Sequence, residues 1–190
     1  MYVIEVNGAI NPIVAKFIET SIAKASEEGA QCLVIQMDTP GGLDTSMRTI
    51  IKAIEGSPIP VIVYVSPSGA RAASAGVLVT LASHIAAMAP GTNIGAAHPV
   101  NVGGGQVDKD MRAKIENDAV AYIKSLASKH GRNADWAEKA VRKSVSITAE
   151  EALKLHVIDY IAPDLNTLLK KIDGKAVSYT HLTLPTNREV

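Results

Sequence analysis

The sequence predicts an α/β domain, and three stretches carry that prediction. Val61-Ile62-Val63-Tyr64-Val65 is a β-branched run entered through Pro58 and Pro60 and left through Pro67 and Gly69, the pattern of a buried strand. Gln31 to Met37 is a second such run, and it passes directly into Asp38-Thr39-Pro40-Gly41-Gly42 and then a helix from about Leu43 to Glu55. The same order recurs around Gly69-Ala70-Arg71-Ala72-Ala73-Ser74-Ala75-Gly76, which is followed by a mostly apolar helix from Val77 to Ala87. Strand, glycine-rich turn and helix form the α/β unit. Two units in succession set two strand-to-helix corners side by side, where both can face one site.

The remaining elements follow in order. Tyr2 to Val6 reads as a first strand closed by Asn7-Gly8. Pro12 then opens a helix to about Glu28, with Ile13, Phe17, Ile18 and Ile22 at helical spacing. His84 to Ala89 reads as a short strand and Thr92 to Ala97 as an extended piece ending at His98-Pro99. Asn101-Val102-Gly103-Gly104-Gly105-Gln106 has the composition of a flexible flap. A long helix is expected from Lys109 to Lys129, with Met111, Ile115, Ala119, Tyr122 and Leu126 on one face and Gly131 as its stop. A second helix carries Trp136 as core filler. Thr148-Ala149-Glu150-Glu151 is a capping box, Val157 to Ile161 a last strand, and Asp164 to Ile172 an amphipathic segment. Residues 177–190 continue no pattern and read as a non-native adapter or cloning tail, so the domain is expected to span residues 1–176.

Composition narrows the function. With 190 residues and 47% apolar side chains, the chain can bury one real core. Nineteen basic and 19 acidic residues cancel, which argues against a nucleic-acid partner. The lone Cys32 sits in an apolar run and has no partner for a disulfide or metal set. No stretch reaches the roughly 18 to 20 apolar residues of a membrane span, so the fragment is expected to be soluble. A phosphate-binding Gly-x-x-x-x-Gly-Lys-Ser/Thr loop is absent from the sequence, and neither metal nor other cofactor is implied.

Ser74 is the candidate nucleophile. It lies where first-turn N–H groups lack partners and the helix dipole favours negative charge, and its Ala and Gly neighbours leave room for a substrate backbone. A helix-capping serine would read the same way locally. An amide-cleaving serine needs a base and at least two N–H donors for the oxyanion. Gly42, with Gly41 shaping the turn, and the N–H after the nucleophile, that of Ala75, are candidates for the hole. Two bases compete: His98, and Lys114 on the flank of the long helix's apolar stripe. A lysine accepts a proton at neutral pH only where desolvation disfavours its ammonium form. Local physics leaves both open.

Three segments in order and spacing carry a resemblance: Asp38-Thr39-Pro40-Gly41-Gly42, then Gly69 to Gly76, then Met88-Ala89-Pro90-Gly91-Thr92-Asn93-Ile94-Gly95-Ala96-Ala97-His98-Pro99. Together they resemble the NfeD-type membrane-bound serine proteases, related to ClpP and signal peptide peptidase A. The likeness runs from about Tyr2 to Leu169 and implies the ClpP/crotonase-like fold of repeated β-β-α units. It implies Ser74 as nucleophile and Lys114, in Lys114-Ile115-Glu116-Asn117-Asp118-Ala119-Val120-Ala121-Tyr122-Ile123-Lys124, as base, with Gly42 and Ala75 forming the oxyanion hole. ClpP places its histidine at nearly the spacing of His98, but the segment Arg142 to Thr148 lacks the aspartate that would orient it.

The resemblance further implies hydrophobic segments of membrane-associated proteins as substrates, a stomatin-like partner, a homo-oligomer, and a parent protein anchored in a membrane with this domain outside the cytoplasm. Three rival readings share the same residues: a ClpP-like Ser-His peptidase using His98, a crotonase-type acyl-CoA enzyme, and a non-catalytic module that binds a stomatin-like protein.

Overall fold

Five parallel strands form the sheet that the β-branched runs predict. The computed structural model describes residues 1–100 and 108–174, together with the backbone of two short paired strands, Ala176–Val177 and Leu182–Thr183. The expected flap from Asn101 to Gln106 and most of the expected non-native tail lie outside the described residues.

In chain order the elements are β1 (Tyr2–Asn7), α1 (Pro12–Glu27), β2 (Leu33–Asp38), α2 (Asp44–Glu55), β3 (Val61–Val65), β4 (Arg71–Ala73), α3 (Ala75–Ala82), β5 (Ile85–Met88) and β6 (Asn93–Gly95). They continue with α4 (Lys109–Lys129), α5 (Ala134–Arg142), β7 (Ser146–Thr148), α6 (Ala149–Lys154), β8 (Tyr160–Ile161) and α7 (Leu165–Ile172). The main sheet runs β1-β2-β3-β5-β8 with every pair parallel. β4, β6 and β7 form a second, three-stranded sheet.

β3 is the middle strand and is buried along its whole length, because both faces of the sheet are covered. Val61, Val63 and Val65 point into the larger core, and Ile62 and Tyr64 into a smaller one with Leu168 and Ile172 of α7. The Tyr64 hydroxyl finds its buried partner in the Ala162 carbonyl at 2.7 Å. α1 starts as Pro12 and the Asn11 side chain dictate, the latter accepting from the Val14 N–H at 3.0 Å. The capping box forms as expected, Thr148 and Glu151 each satisfying the other's backbone N–H.

Four expectations are corrected. The apolar run from Val77 to Ala89 divides earlier than expected: α3 stops at Ala82, where the Ser83 hydroxyl bonds the Thr80 carbonyl at 2.7 Å, and Ile85 then pairs with Ile62. A run that is buried throughout has no periodicity to mark that boundary. The last strand is only Tyr160–Ile161, since the Val157 N–H closes the end of α6 on the Ala152 carbonyl. On α1, Ile13 and Phe17 are exposed, and burial falls on Ala15, Ile18, Ser21, Ile22 and Ala25. On α4, Met111 and Ile115 are exposed, and buried residues begin only at Val120, with Ile123, Leu126 and Ala127 after it.

Candidate active site

Ser74 occupies a backbone conformation that few non-glycine residues adopt, φ 53° and ψ −117°. Such strain costs on the order of 1–3 kcal/mol and persists only where neighbours over-determine it. Here the second sheet does so. The Ala73 N–H bonds the Thr39 carbonyl at 3.0 Å, the Ser74 N–H bonds Gly95 O at 3.1 Å, and Ser74 O receives the Val77 N–H at 3.0 Å. Ser74 stands in the N-cap position of α3, yet its side chain makes no capping hydrogen bond. The capping role that could have explained this serine is therefore unfilled, and its hydroxyl is left for other chemistry.

The Asp38-to-Gly42 corner lies against it. Gly41 has φ +113°, and a Cβ placed there would come within 2.5 Å of Ser74 Cβ and 3.1 Å of Ser74 Oγ. Thr39, fully buried, braces this turn by accepting the Gly41 N–H on Oγ1 at 3.1 Å. Gly42 is bridged in parallel to Ile10, with Ile10 N on Gly41 O at 2.8 Å and Leu43 N on Ile10 O at 2.9 Å. In that pattern the Gly42 N–H points away from Ile10. Ala75, the first residue of α3, likewise has no carbonyl four residues before it in the helix to receive its N–H. Among the described residues two backbone donors thus remain beside one serine, at the positive end of a helix dipole.

Gly42, Ser74 and Ala75 share a cavity of about 300 Å³. Its walls are apolar, with Met47 from α2, Leu78 from α3, Ala97, and Ala119 and Tyr122 from α4. The cavity suits one aliphatic side chain placed next to a backbone carbonyl at Ser74. Two charged residues, Asp44 and Arg48, also line it; Arg48 lies 4.4 Å from the Tyr122 ring centroid and is paired with Asp44 at 2.9 Å and with Asp118 at 2.6 Å.

The two candidate bases lie elsewhere. His98 is half-buried, but Ala97 and Pro99 on either side of it line the cavity while its own ring turns toward α5. Its Nδ1 lies 3.0 Å from the Val141 carbonyl oxygen. Lys114 lies on the exposed first half of α4. The apolar wall expected beside it is not closed by any described element, since Met111 and Ile115 are themselves exposed. Helix geometry still puts Lys114 on the face of Asp118, one turn further on, and Asp118 reaches Arg48 in the cavity lining. The structure therefore brings together Ser74, Gly41, Gly42 and Ala75, while Lys114 is exposed on α4 and is not among the residues that line the cavity. Neither base is hydrogen-bonded to Ser74 among the described residues.

Known proteins match this arrangement. The family model for the NfeD1b N-terminal domain covers residues 1–180. The chain belongs to that family. The membrane-bound protease PH1510 of Pyrococcus horikoshii is 46% identical over 176 residues, covering 92% of this chain and 40% of that protein. The chain thus spans about two fifths of the length of this curated relative.

Two solved structures of a 1510-N membrane-bound stomatin-specific protease superpose closely on this NfeD1b-type domain. One, a serine-to-alanine mutant, is 43% identical with a TM-score of 0.90, covering 99% of this chain and 94% of that one. The other, a lysine-to-alanine mutant in complex with a substrate peptide, is 42% identical with a TM-score of 0.88, covering 97% and 86%. ClpP1 from Listeria monocytogenes, 18% identical with a TM-score of 0.69 over 87% of this chain and 94% of that one, shows the shared ClpP-like fold.

Two contributors to the site escaped the sequence reading. Thr39 belongs to a turn motif in the sequence, where nothing marks its hydroxyl as the brace of Gly41. For Arg48 the local sequence offers only the i,i+4 pairing with Asp44; its contacts with Asp118 and Tyr122 come from α4, far along the chain.

Proposed function

We propose that this domain is a serine endopeptidase acting through Ser74 and Lys114. The observation that carries the reading is the uncapped Ser74 hydroxyl, held in a strained turn against Gly41 and sharing an apolar cavity with Gly42 and Ala75. Ser74 Oγ attacks the scissile carbonyl, its proton passes to Lys114 Nζ, and the tetrahedral oxyanion takes the N–H groups of Gly42 and Ala75. Lys114 then returns the proton to the leaving amine, and water hydrolyses the ester on Ser74.

Lys114 needs a dry neighbourhood to act as base. Met111 and Ile115, exposed on either side of it, offer apolar surface over which a bound hydrophobic segment can close and exclude water. That the solved relatives carry a serine change in one case, and a lysine change with a substrate peptide in the other, supports the pairing. His98 is the weaker base because its ring faces α5 and not the cavity.

The apolar cavity supports hydrophobic stretches of protein as the substrate class. The relatives' names support a stomatin-like substrate partner and a membrane-bound parent protein; a position of this domain outside the cytoplasm belongs to the same proposal. A homo-oligomer, and a domain ending near residue 176 with a non-native tail after it, complete the reading.

The test is labelling by a fluorescent fluorophosphonate. Loss of labelling in Ser74→Ala and Lys114→Ala, with retention in His98→Ala, is the expected result. Labelling that survives Lys114→Ala but not His98→Ala overturns the choice of base, and no labelling of the folded wild type overturns the peptidase reading.

A further inference from the structure

The turn of α4 that follows Lys114 is held from two sides. From α2, Arg48 donates to Asp118 at 2.6 Å while its Nε bonds Asp44 at 2.9 Å and its guanidinium lies over the Tyr122 ring. From α5, Arg142 donates to Glu116 at 2.8 Å and to Asn117 at 3.0 Å, with its Nε on Glu138 at 2.9 Å. The rest of the helix start is exposed from Lys109 to Ile115. Among the described residues, these two arginines are polar links that fix this segment to the body of the domain.

Their positions have a chemical consequence for Lys114. Asp118 lies one turn after Lys114 and Asp110 one turn before it, both at the spacing where a carboxylate reaches a lysine on the same helix face. A lysine paired to a carboxylate is stabilised as the ammonium and is useless as a base. Arg48 takes the Asp118 carboxylate for itself, its fork engaging two acids while its face stacks on an aromatic ring, a geometry lysine cannot reproduce. The charged groups around this turn are Asp110, Glu116 and Asp118 on α4, Asp44 and Arg48 on α2, and Glu138 and Arg142 on α5.

We propose that Arg48 is a positioning residue for the Ser74–Lys114 pair: it withholds Asp118 from Lys114 and pins that turn of α4 to the cavity wall formed by α2. This rests on the Ser74–Lys114 reading above. Arg48 transfers no proton. It keeps the Asp118 carboxylate engaged and holds that turn of α4 in place, through Asp118 and Tyr122.

The experiment measures fluorophosphonate labelling rates, and kcat and KM on a fluorogenic peptide with leucine before the scissile bond, from pH 6 to 10. The proteins compared are wild type, Arg48→Ala, Arg48→Lys, Asp118→Asn, the Arg48→Ala/Asp118→Asn double variant and Lys114→Ala. Arg48→Ala is expected to lower kcat by about tenfold or more and to move the acid limb of the rate profile to higher pH, because the released carboxylate pairs with Lys114. Asp118→Asn in that background restores most of the rate, since the harm comes from the freed carboxylate. Arg48→Lys, which folds with the charge kept, is expected to fall between.

An Arg48→Ala enzyme with wild-type kcat and pH profile overturns the inference. So does a loss that Asp118→Asn fails to relieve, since that is the mark of lost packing alone. Loss of labelling in Lys114→Ala alongside an unaffected Arg48→Ala overturns this inference and leaves the reading of the site intact. Labelling that survives Lys114→Ala overturns the reading itself.

Discussion

Gly41 and Ser74 are in contact: a Cβ on the glycine would stand 2.5 Å from the Cβ of the serine. Two corners from successive α/β units, far apart in sequence, are thus packed so closely that the first has no room for a side chain. The contact also fixes what the glycine is for. Its φ of +113° lets the next N–H, that of Gly42, turn toward the cavity.

Gly41→Ala is therefore expected to remove catalysis while leaving the sheet in place. Alanine can neither adopt this φ without strain nor avoid Ser74, so the serine or the turn must shift. Loss of one oxyanion donor costs on the order of 10² to 10³ in rate. The labelling rate should fall by about that factor. Circular dichroism should show unchanged helix and strand content, and full labelling of the variant would refute the role given to this corner.

Cavity size should govern substrate choice. Ala119, on α4, lines the cavity opposite Ser74 and Leu78. Ala119→Phe is expected to fill it and to lower kcat/KM for a peptide with leucine at the scissile position by about tenfold, the price of a pocket side chain left unburied. A small phosphonate probe, which reaches Ser74 with no side chain to fill the apolar part of the cavity, should label at close to the wild-type rate. Equal losses for peptide and probe would mean that the substitution displaced α4 instead.

A second polar cluster, remote from the cavity lining, sets the response to acid. The His84 Nδ1 accepts the Val61 N–H at 3.1 Å, and its ring stands edge-on to His130, with centroids 6.2 Å apart. Burial, with the neighbouring His130 charge, holds His84 down at about 4. Burial also lowers His130, whose Nε2 lies 3.0 Å from Glu55 Oε1. Burial opposes ionisation of Glu55, but Lys129 and His130 outweigh it and leave Glu55 lowered.

Because the folded protein resists protonating His84, its stabilising contribution is present in full above the ordinary value of 6.5 and is lost as pH falls from 6.5 toward about 4. Protonation also removes the acceptor that the Val61 N–H uses. Urea midpoints measured across this window should fall as pH falls. His84→Gln, whose amide oxygen can accept the same N–H, should flatten that slope, and an equally steep slope in the variant would exclude His84 as its source.

Much of this was legible from local pattern. β1, β2, β3 and α4 announce themselves through composition, periodicity and punctuation, and the two corners through glycines and the Ser74 motif. Strands of three residues, such as β4 and β7, hold too few side chains to show alternation, and they come into being by pairing with β6. The exposure of Lys114 was hidden for a different reason. A stripe that includes Met111 and Ile115 shows which face of a helix is apolar, but not how much of the helix another element covers. Long-range charge contacts, Arg48 to Asp118 and Arg132 to Asp159, leave no trace in neighbouring residues.

The Arg132 contact yields the strongest stability prediction. Arg132 is only 6% exposed, and its guanidinium donates to Leu81 O and Ser83 O, each at 2.8 Å, and to Asp159 Oδ2 at 2.6 Å. It thereby satisfies carbonyls at the C-terminal end of α3, the negative end of the helix whose positive end lies at Ser74. Asp159 in turn receives the Ala86 N–H at 2.7 Å, which ties β5 to the same charge. Arg132→Met leaves these carbonyls without their donor and the partly exposed Asp159 carboxylate with the Ala86 N–H alone, so a loss of about 2–3 kcal/mol is expected. Arg132→Met/Asp159→Asn should recover part of it by removing the stranded charge. Since nothing in this latch touches the cavity, molecules that remain folded should label at Ser74 at the wild-type rate. Denaturant titration gives the first quantity and labelling normalised to the folded fraction the second. A slowed rate in the folded fraction would show that the far end of α3 governs the geometry of Ser74 as well as its stability.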